Sequence, residues 1–124
     1  MKILIIEDDK FLRDLMSQKL VKEGFNVKEA LDGEDGLKIA LEETPDLILL
    51  DLILPRIDGF EVLERIKKNE KLSDLPVLIL SNLGQKADVQ RAMSMGAQEF
   101  LIKSNFTLGE IVEKIKTILK KKYV

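Results

Sequence analysis

Short apolar runs alternate along this chain with longer segments whose apolar residues recur every three or four positions, and this alternation restricts the fold more than any other feature. The runs are Ile3 to Ile6, Phe25 to Glu29, Leu47 to Leu50, Val77 to Leu80 and Phe100 to Ile102, each of a length suited to a strand. Between them, Leu12, Leu15, Met16 and Leu20 make one helical stripe, Leu37, Ala40 and Leu41 a second, and Val62, Leu63 and Ile66 a third. A fourth helix around Val89, Ala92 and Met93 is weakly patterned, whereas a fifth carries Leu108, Ile111, Val112, Ile115, Ile118 and Leu119 on one face. A chain of 124 residues accommodates this pattern as one domain, residues 1–124.

Four runs are apolar throughout, as in strands covered on both faces, but Phe25-Asn26-Val27-Lys28 alternates and predicts an edge strand. The expected architecture is α/β: a (βα)5 doubly wound parallel five-stranded sheet in the order 2-1-3-4-5, the flavodoxin-like arrangement. In that order the chain reverses direction between strands one and three, and ligands bind beyond their carboxyl ends. The local signals agree. Gly24 and Gly96 stand where helix C-terminal caps belong, Thr107 and Glu110 have capping-box spacing, and Pro45 and Pro76 precede strands.

Acid stands at the two strand ends where the chain reverses. Strand one runs into Glu7-Asp8-Asp9 and strand three into Asp51, so several carboxylates crowd one crevice. Their repulsion calls for a cation, and all-oxygen ligands select a hard one such as Mg²⁺. Asp9 has the simpler role of capping the first helix. Strand four ends in Ser81-Asn82 and strand five in Lys103, on the same edge. A hydroxyl and an ammonium there suit the oxygens of a transferred phosphoryl group. Taken singly, Ser81 also suits a turn and Lys103 the charged guard of an edge strand.

Composition removes competing chemistries. The chain has neither cysteine nor histidine, so thiol catalysis, disulfides, imidazole bases and a phosphohistidine of its own are excluded. A formal net charge of -2 supplies no general attraction to nucleic acid. The run after Lys2 is too short for a signal peptide or a membrane span, which leads to the expectation of a cytoplasmic protein. The terminal Lys120-Lys121-Lys122 reads as a solvated helix end favoured by the helix dipole.

The runs Ile3-Leu4-Ile5-Ile6-Glu7-Asp8-Asp9, Leu47 to Pro55 with Asp58-Gly59, Leu75 to Ser81, and Gly96-Ala97 through Phe100-Leu101-Ile102-Lys103 resemble, in order and spacing, the response-regulator receiver domains of two-component systems. The resemblance covers essentially the whole chain and implies a phosphoacceptor role. Asp51 would be the nucleophile, taking a phosphoryl group from the phosphohistidine of a sensor histidine kinase or phosphotransfer protein, or from a small acyl phosphate. Asp8 and Asp51 would bind Mg²⁺ directly, Glu7 through water, and the Ile53 carbonyl would be a further ligand. Ser81 and Lys103 would contact the phosphoryl oxygens. Ser81 and Phe100 would form the switch that reshapes the surface of the fourth helix, fifth strand and fifth helix for a downstream protein target. Because Val124 follows closely on the fifth helix, the expected form is a stand-alone, chemotaxis-type regulator.

Three positions depart from the family pattern: Ser104 stands where proline usually follows the lysine, Asn82 where a smaller residue is common, and Phe100 where a tyrosine would offer a hydroxyl. Other reaction classes fit less well. A phosphatase of the haloacid dehalogenase type would need a second Asp where Ile53 stands, and a pseudo-receiver would lack part of the acid and lysine set. A flavodoxin-like cofactor binder would need a phosphate loop after strand one.

Overall fold

Four large apolar side chains in succession, Ile3 to Ile6, can all leave water only if both faces of their strand are covered. In the computed structural model, which describes residues 1–123, they lie in β1 (Lys2–Ile6), and all four are essentially inaccessible. The chain continues through α1 (Lys10–Lys22), β2 (Asn26–Ala30), α2 (Gly33–Glu43), β3 (Leu47–Leu50), α3 (Gly59–Lys68), β4 (Val77–Ser81), α4 (Lys86–Ser94), β5 (Glu99–Ile102) and, after a 3-10 turn (Lys103–Asn105), α5 (Leu108–Tyr123). The sheet is parallel throughout, in the expected order β2-β1-β3-β4-β5. Strand ends differ from the sequence expectation by at most one residue.

The strand period divides the core in two. Leu4, Ile6, Ile48, Leu50, Val77 and Ile79 face one cluster, completed by α2, α3 and α4 through Ala40, Leu63, Ile66 and Ala92. Ile3, Ile5, Leu47, Leu49, Leu78 and Leu80 face the other, completed by Met16 and Leu20 of α1 and by Ile111, Ile115 and Leu119 of α5. The edge position of β2 agrees with its mixed burial, since Asn26 and Glu29 are exposed and only Ala30 is fully buried. Asp9 caps α1 by accepting from the Leu12 amide at 3.2 Å, and Thr107 and Glu110 exchange reciprocal bonds at 3.1 and 2.9 Å. Gly24 and Gly96 hold φ values of 94° and 101°, the left-handed conformation of a helix C-terminus.

Two helical stripes differ from expectation. In α2 the buried face is Gly33, Gly36 and Ala40, while Leu41 is exposed. The helix lies so close to β1 that a Cβ on Gly36 would meet Ile6 Cδ1 at 2.5 Å, so small residues rather than leucines form the contact. In α4 only Ala92 is buried and Met93 faces solvent.

Gly59 is the tightest point near the carboxyl edge. Its amide donates to the Leu52 carbonyl at 2.9 Å, and a Cβ there would stand 2.5 Å from the Asp51 carbonyl oxygen, with the Leu52 backbone equally close. Neither obstacle is a flexible side chain. Gly59→Ala is therefore expected to destabilise the fold by about 2 kcal/mol, the overpacking term outweighing the gain in helix propensity. Thermal denaturation checks this, with an expected fall of roughly 5–10 °C in Tm.

Candidate functional site

β1 and β3 are neighbours in register, Ile6 opposite Leu50, so the next residue of each, Glu7 and Asp51, emerges side by side at the carboxyl edge. The Asp51 amide donates to the Ile6 carbonyl at 3.0 Å and continues the ladder by one rung. Oxygens of Glu7, Asp8 and Asp51 all lie within 4.8 Å of one another. Glu7 and Asp51 are each only 4 % exposed, whereas Asp8 opens to solvent. Such an all-oxygen set at one point fits a hard divalent cation, and Mg²⁺ matches the donor chemistry.

Lys103 follows directly on β5 and reaches across to both buried acids, its Nζ 2.8 Å from Asp51 Oδ2 and 2.7 Å from Glu7 Oε1. Burial works against the charge of Lys103, but hydrogen bonds and ion pairs with Asp51 and Glu7 outweigh it and hold its pKa above the ordinary lysine value. Burial pushes the Glu7 carboxyl up to about 7. The Lys103 hydrogen bond opposes this, the Asp51 charge adds to it, and the Asp9 amide opposes it again.

A protonated Glu7 would lend no negative charge to the acid cluster that could hold a metal, so in the native chain Mg²⁺ affinity is expected to rise from roughly pH 6 to pH 8 as that proton is lost. Calorimetric titration in buffers of different ionisation heat measures both the affinity and the proton released. The expected release is greatest near the lower pH.

The other expected residues are placed as follows. The Ile53 amide donates to Asp51 Oδ1 at 3.1 Å and orients the carboxylate, while the Ile53 side chain is exposed. Ser81 closes β4 on the same edge, fully buried, its Oγ accepting from the Leu83 amide at 3.3 Å. Phe100 lies opposite Ile79 in the β4–β5 ladder, half-buried against the α3 and α4 side of the core. Ser104 sits within the single 3-10 turn after Lys103, which closes through Phe106 N–H to the Lys103 carbonyl at 3.5 Å, and Asn82 is exposed.

One charged residue beside the site was not singled out in the sequence. Arg13 is buried, donates from Nη1 to the Glu7 carbonyl at 2.8 Å and has Nε 3.3 Å from Glu29 Oε1. The available signal was its place on the α1 stripe with Met16 and Leu20, where a cation has to find a partner.

Comparison with known proteins bears on the family and the fold. The family model described as "Response regulator receiver domain" matches residues 3–116. The DNA-binding dual master transcriptional regulator RpaA of Synechocystis is 40 % identical over 120 residues, covering 97 % of this chain and 49 % of the relative. The transcriptional regulatory protein AfsQ1 of Streptomyces coelicolor is 41 % identical over 101 residues, covering 82 % and 44 % respectively. The chain thus spans about half the length of the curated relatives it matches. Both are transcriptional regulators, so they lend no support to the expected stand-alone, chemotaxis-type form. Among solved structures, a CheY-like response regulator receiver domain protein from Methanospirillum hungatei superposes with a TM-score of 0.91 at 27 % identity, over 98 % of this chain and 94 % of that one. With the family model matching residues 3–116 and relatives near two-fifths identity, this chain belongs to the response regulator receiver domains.

Proposed function

We propose that this receiver domain accepts a phosphoryl group on Asp51, with Mg²⁺ held by Asp8 and Asp51 directly and by Glu7 through water, and with Lys103 and Ser81 contacting the phosphoryl oxygens. The observation that carries this reading is the convergence of three carboxylates and one lysine on a single point of the carboxyl edge. A carboxylate oxygen of Asp51 attacks phosphorus as the bond to the donor's imidazole nitrogen, or to the acyl oxygen of a small donor, breaks with its electron pair leaving on the donor. When bound, the cation would offset charge on the transferred group's oxygens. Ile53 N–H orients the nucleophile, and the Ile53 carbonyl is the further metal ligand in this reading. Lys103, now shared between Asp51 and Glu7, turns its ammonium to the incoming oxygens. The Ser81 hydroxyl accepts from Leu83 N–H and keeps its own proton to donate.

Ser81 and Phe100 form the switch. Ser81 pairs in register with Ile102, two residues beyond Phe100 on β5, so a shift of the hydroxyl towards phosphate acts on the strand that carries the aromatic ring. The reshaped surface of α4, β5 and α5 then meets a downstream protein target. The phosphoryl donor is a sensor histidine kinase or phosphotransfer protein, residues 1–124 act as one receiver unit in the cytoplasm, and this unit makes no direct contact with nucleic acid. A net charge of -2 supports that last reading, and among the described residues no helix is long and apolar enough to cross a membrane. Intact-mass spectrometry with peptide mapping, after incubation with acetyl phosphate, tests the assignment. One phosphoryl group is expected on Asp51 with Mg²⁺ and none in chelator, and modification at another residue would refute it.

A further inference from the structure

Arg13 is the only basic residue of α1 whose side chain is buried, and its partners are a backbone carbonyl beside the acid cluster and an exposed acid of the edge strand. Its Nη1 donates to the Glu7 carbonyl at 2.8 Å, and its Nε lies 3.3 Å from Glu29 Oε1, near the end of β2. The Glu7 amide donates to the carbonyl of Ala30, the next residue of the same strand, at 3.1 Å. The two peptide groups flanking Glu7 are therefore both held from the end of β2, one by Ala30 directly and one through Arg13 and Glu29.

The Glu7 carbonyl shares a rigid plane with the Asp8 amide. Whatever fixes that oxygen also fixes the direction in which the chain leaves Glu7, and hence where the Asp8 carboxylate stands relative to those of Glu7 and Asp51. Asp8 is exposed; the peptide after it is held by the Asp9 amide donating to Glu7 Oε2 at 3.1 Å while the Asp9 side chain caps α1, and the peptide before it is the one that Arg13 holds.

We propose that Arg13, itself held by Glu29, is a positioning residue for the metal: it clamps the Glu7–Asp8 peptide so that the two acidic side chains present their oxygens together with Asp51. The edge strand, which contributes no ligand, would in this way set the geometry of the ligands. A guanidinium close to a cation site disfavours the cation through its charge, so positioning and electrostatics predict opposite signs when Arg13 is replaced.

The inference rests on the Mg²⁺ assignment above, and the experiment distinguishes their failures. Mg²⁺ is titrated into the full chain at fixed pH, followed by calorimetry and by the Glu7 and Asp8 amide shifts, under conditions where each variant is folded. Arg13→Met is expected to weaken Mg²⁺ binding roughly 10-fold, as loss of a group that orients a ligand does, and Arg13→Lys, which keeps a donor, to recover part of that. Glu29→Gln should weaken binding by a smaller factor. If Arg13 and Glu29 act as one unit, Arg13→Met combined with Glu29→Gln should be no weaker than Arg13→Met alone.

Unchanged or tighter Mg²⁺ binding in Arg13→Met, or losses that simply add in the double variant, would overturn the positioning role. Should Arg13→Met fail to fold, an unchanged affinity in Glu29→Gln overturns it instead. A wild-type chain that binds no Mg²⁺ would overturn both this inference and the metal assignment.

Discussion

Asp51→Asn is expected to abolish phosphoryl transfer while leaving the fold in place. The amide that replaces the carboxylate carries no charge and is too weak a nucleophile to attack phosphorus, and no neighbouring acid is placed to take over. Glu7 is engaged by Lys103 and the Asp9 amide, and Asp8 lies out at the solvent edge. The structural effect should be small. The backbone bond from residue 51 to the Ile6 carbonyl survives, the amide oxygen can still accept from Ile53 N–H, and Lys103 retains Glu7 as its partner at 2.7 Å. One negative charge also leaves a crowded buried site. Stability in chelator should thus change by no more than about 1 kcal/mol, in either direction. Intact mass after incubation with acetyl phosphate and Mg²⁺ should show no phosphorylated species in the variant. A variant phosphorylated as fully as the native chain would remove Asp51 from its central place.

Lys103→Met is expected to have the largest effect on stability, one that depends on both pH and metal. The lysine is the countercharge shared by two acids that are almost fully buried, and its removal leaves Glu7 facing Asp51 with nothing between them. Breaking a buried pair from one side costs about 3 kcal/mol. The sign of the pH dependence follows from Glu7, whose pKa is already raised to about 7 and should rise further without the ammonium. A raised carboxyl pKa means that the folded state holds the proton more tightly than the unfolded chain. Its stabilising contribution is complete below the unfolded value near 4.5 and is lost as pH climbs through the folded value. The variant should therefore be only mildly weakened at roughly pH 5 and strongly weakened at roughly pH 8. Mg²⁺ should restore much of the loss at the higher pH, since binding to the folded state alone stabilises it by mass action. With no ammonium to displace, the variant should bind Mg²⁺ more tightly than the native chain, yet accept phosphate more slowly. Denaturant titrations at the two pH values, with and without Mg²⁺, measure each part. A loss equal at both pH values and indifferent to Mg²⁺ would show that Lys103 is not the countercharge of these acids.

The order of elements and the sheet topology were legible in the sequence because burial leaves a periodic trace. A strand covered on both faces has to be apolar at every position, as in Leu47 to Leu50, and an edge strand is free to alternate, as in Phe25 to Lys28. Caps were legible for a similar reason: free amides at a helix start need a short acceptor, and Asp9 and the Thr107–Glu110 pair supply it within a few residues of chain. The acids and the lysine could be placed at one edge once the topology was known, because every strand of a parallel sheet ends on the same side.

Periodicity failed where contact is made by backbone rather than by side chains. The exposed Leu41 and the buried Gly33 and Gly36 invert the hydrophobic expectation for α2, because how closely two elements approach is decided by both of them and is written in neither alone. Charge was misleading in the same way at Arg13, whose burial is tolerable only because the Glu7 carbonyl and the Glu29 carboxylate arrive from two other elements.

The sequence by itself determined which residues could do chemistry, since a chain without histidine or cysteine and with acids at the ends of strands one and three has few alternatives. Only the tertiary structure decided how those residues are shared. Lys103 bridges Glu7 as well as Asp51, and the backbone of the acidic pair is held from the end of β2. The reason is physical: strand order and local caps are set by short-range sterics and by which faces meet water, whereas the partners of a buried charge depend on distances between segments far apart in the chain.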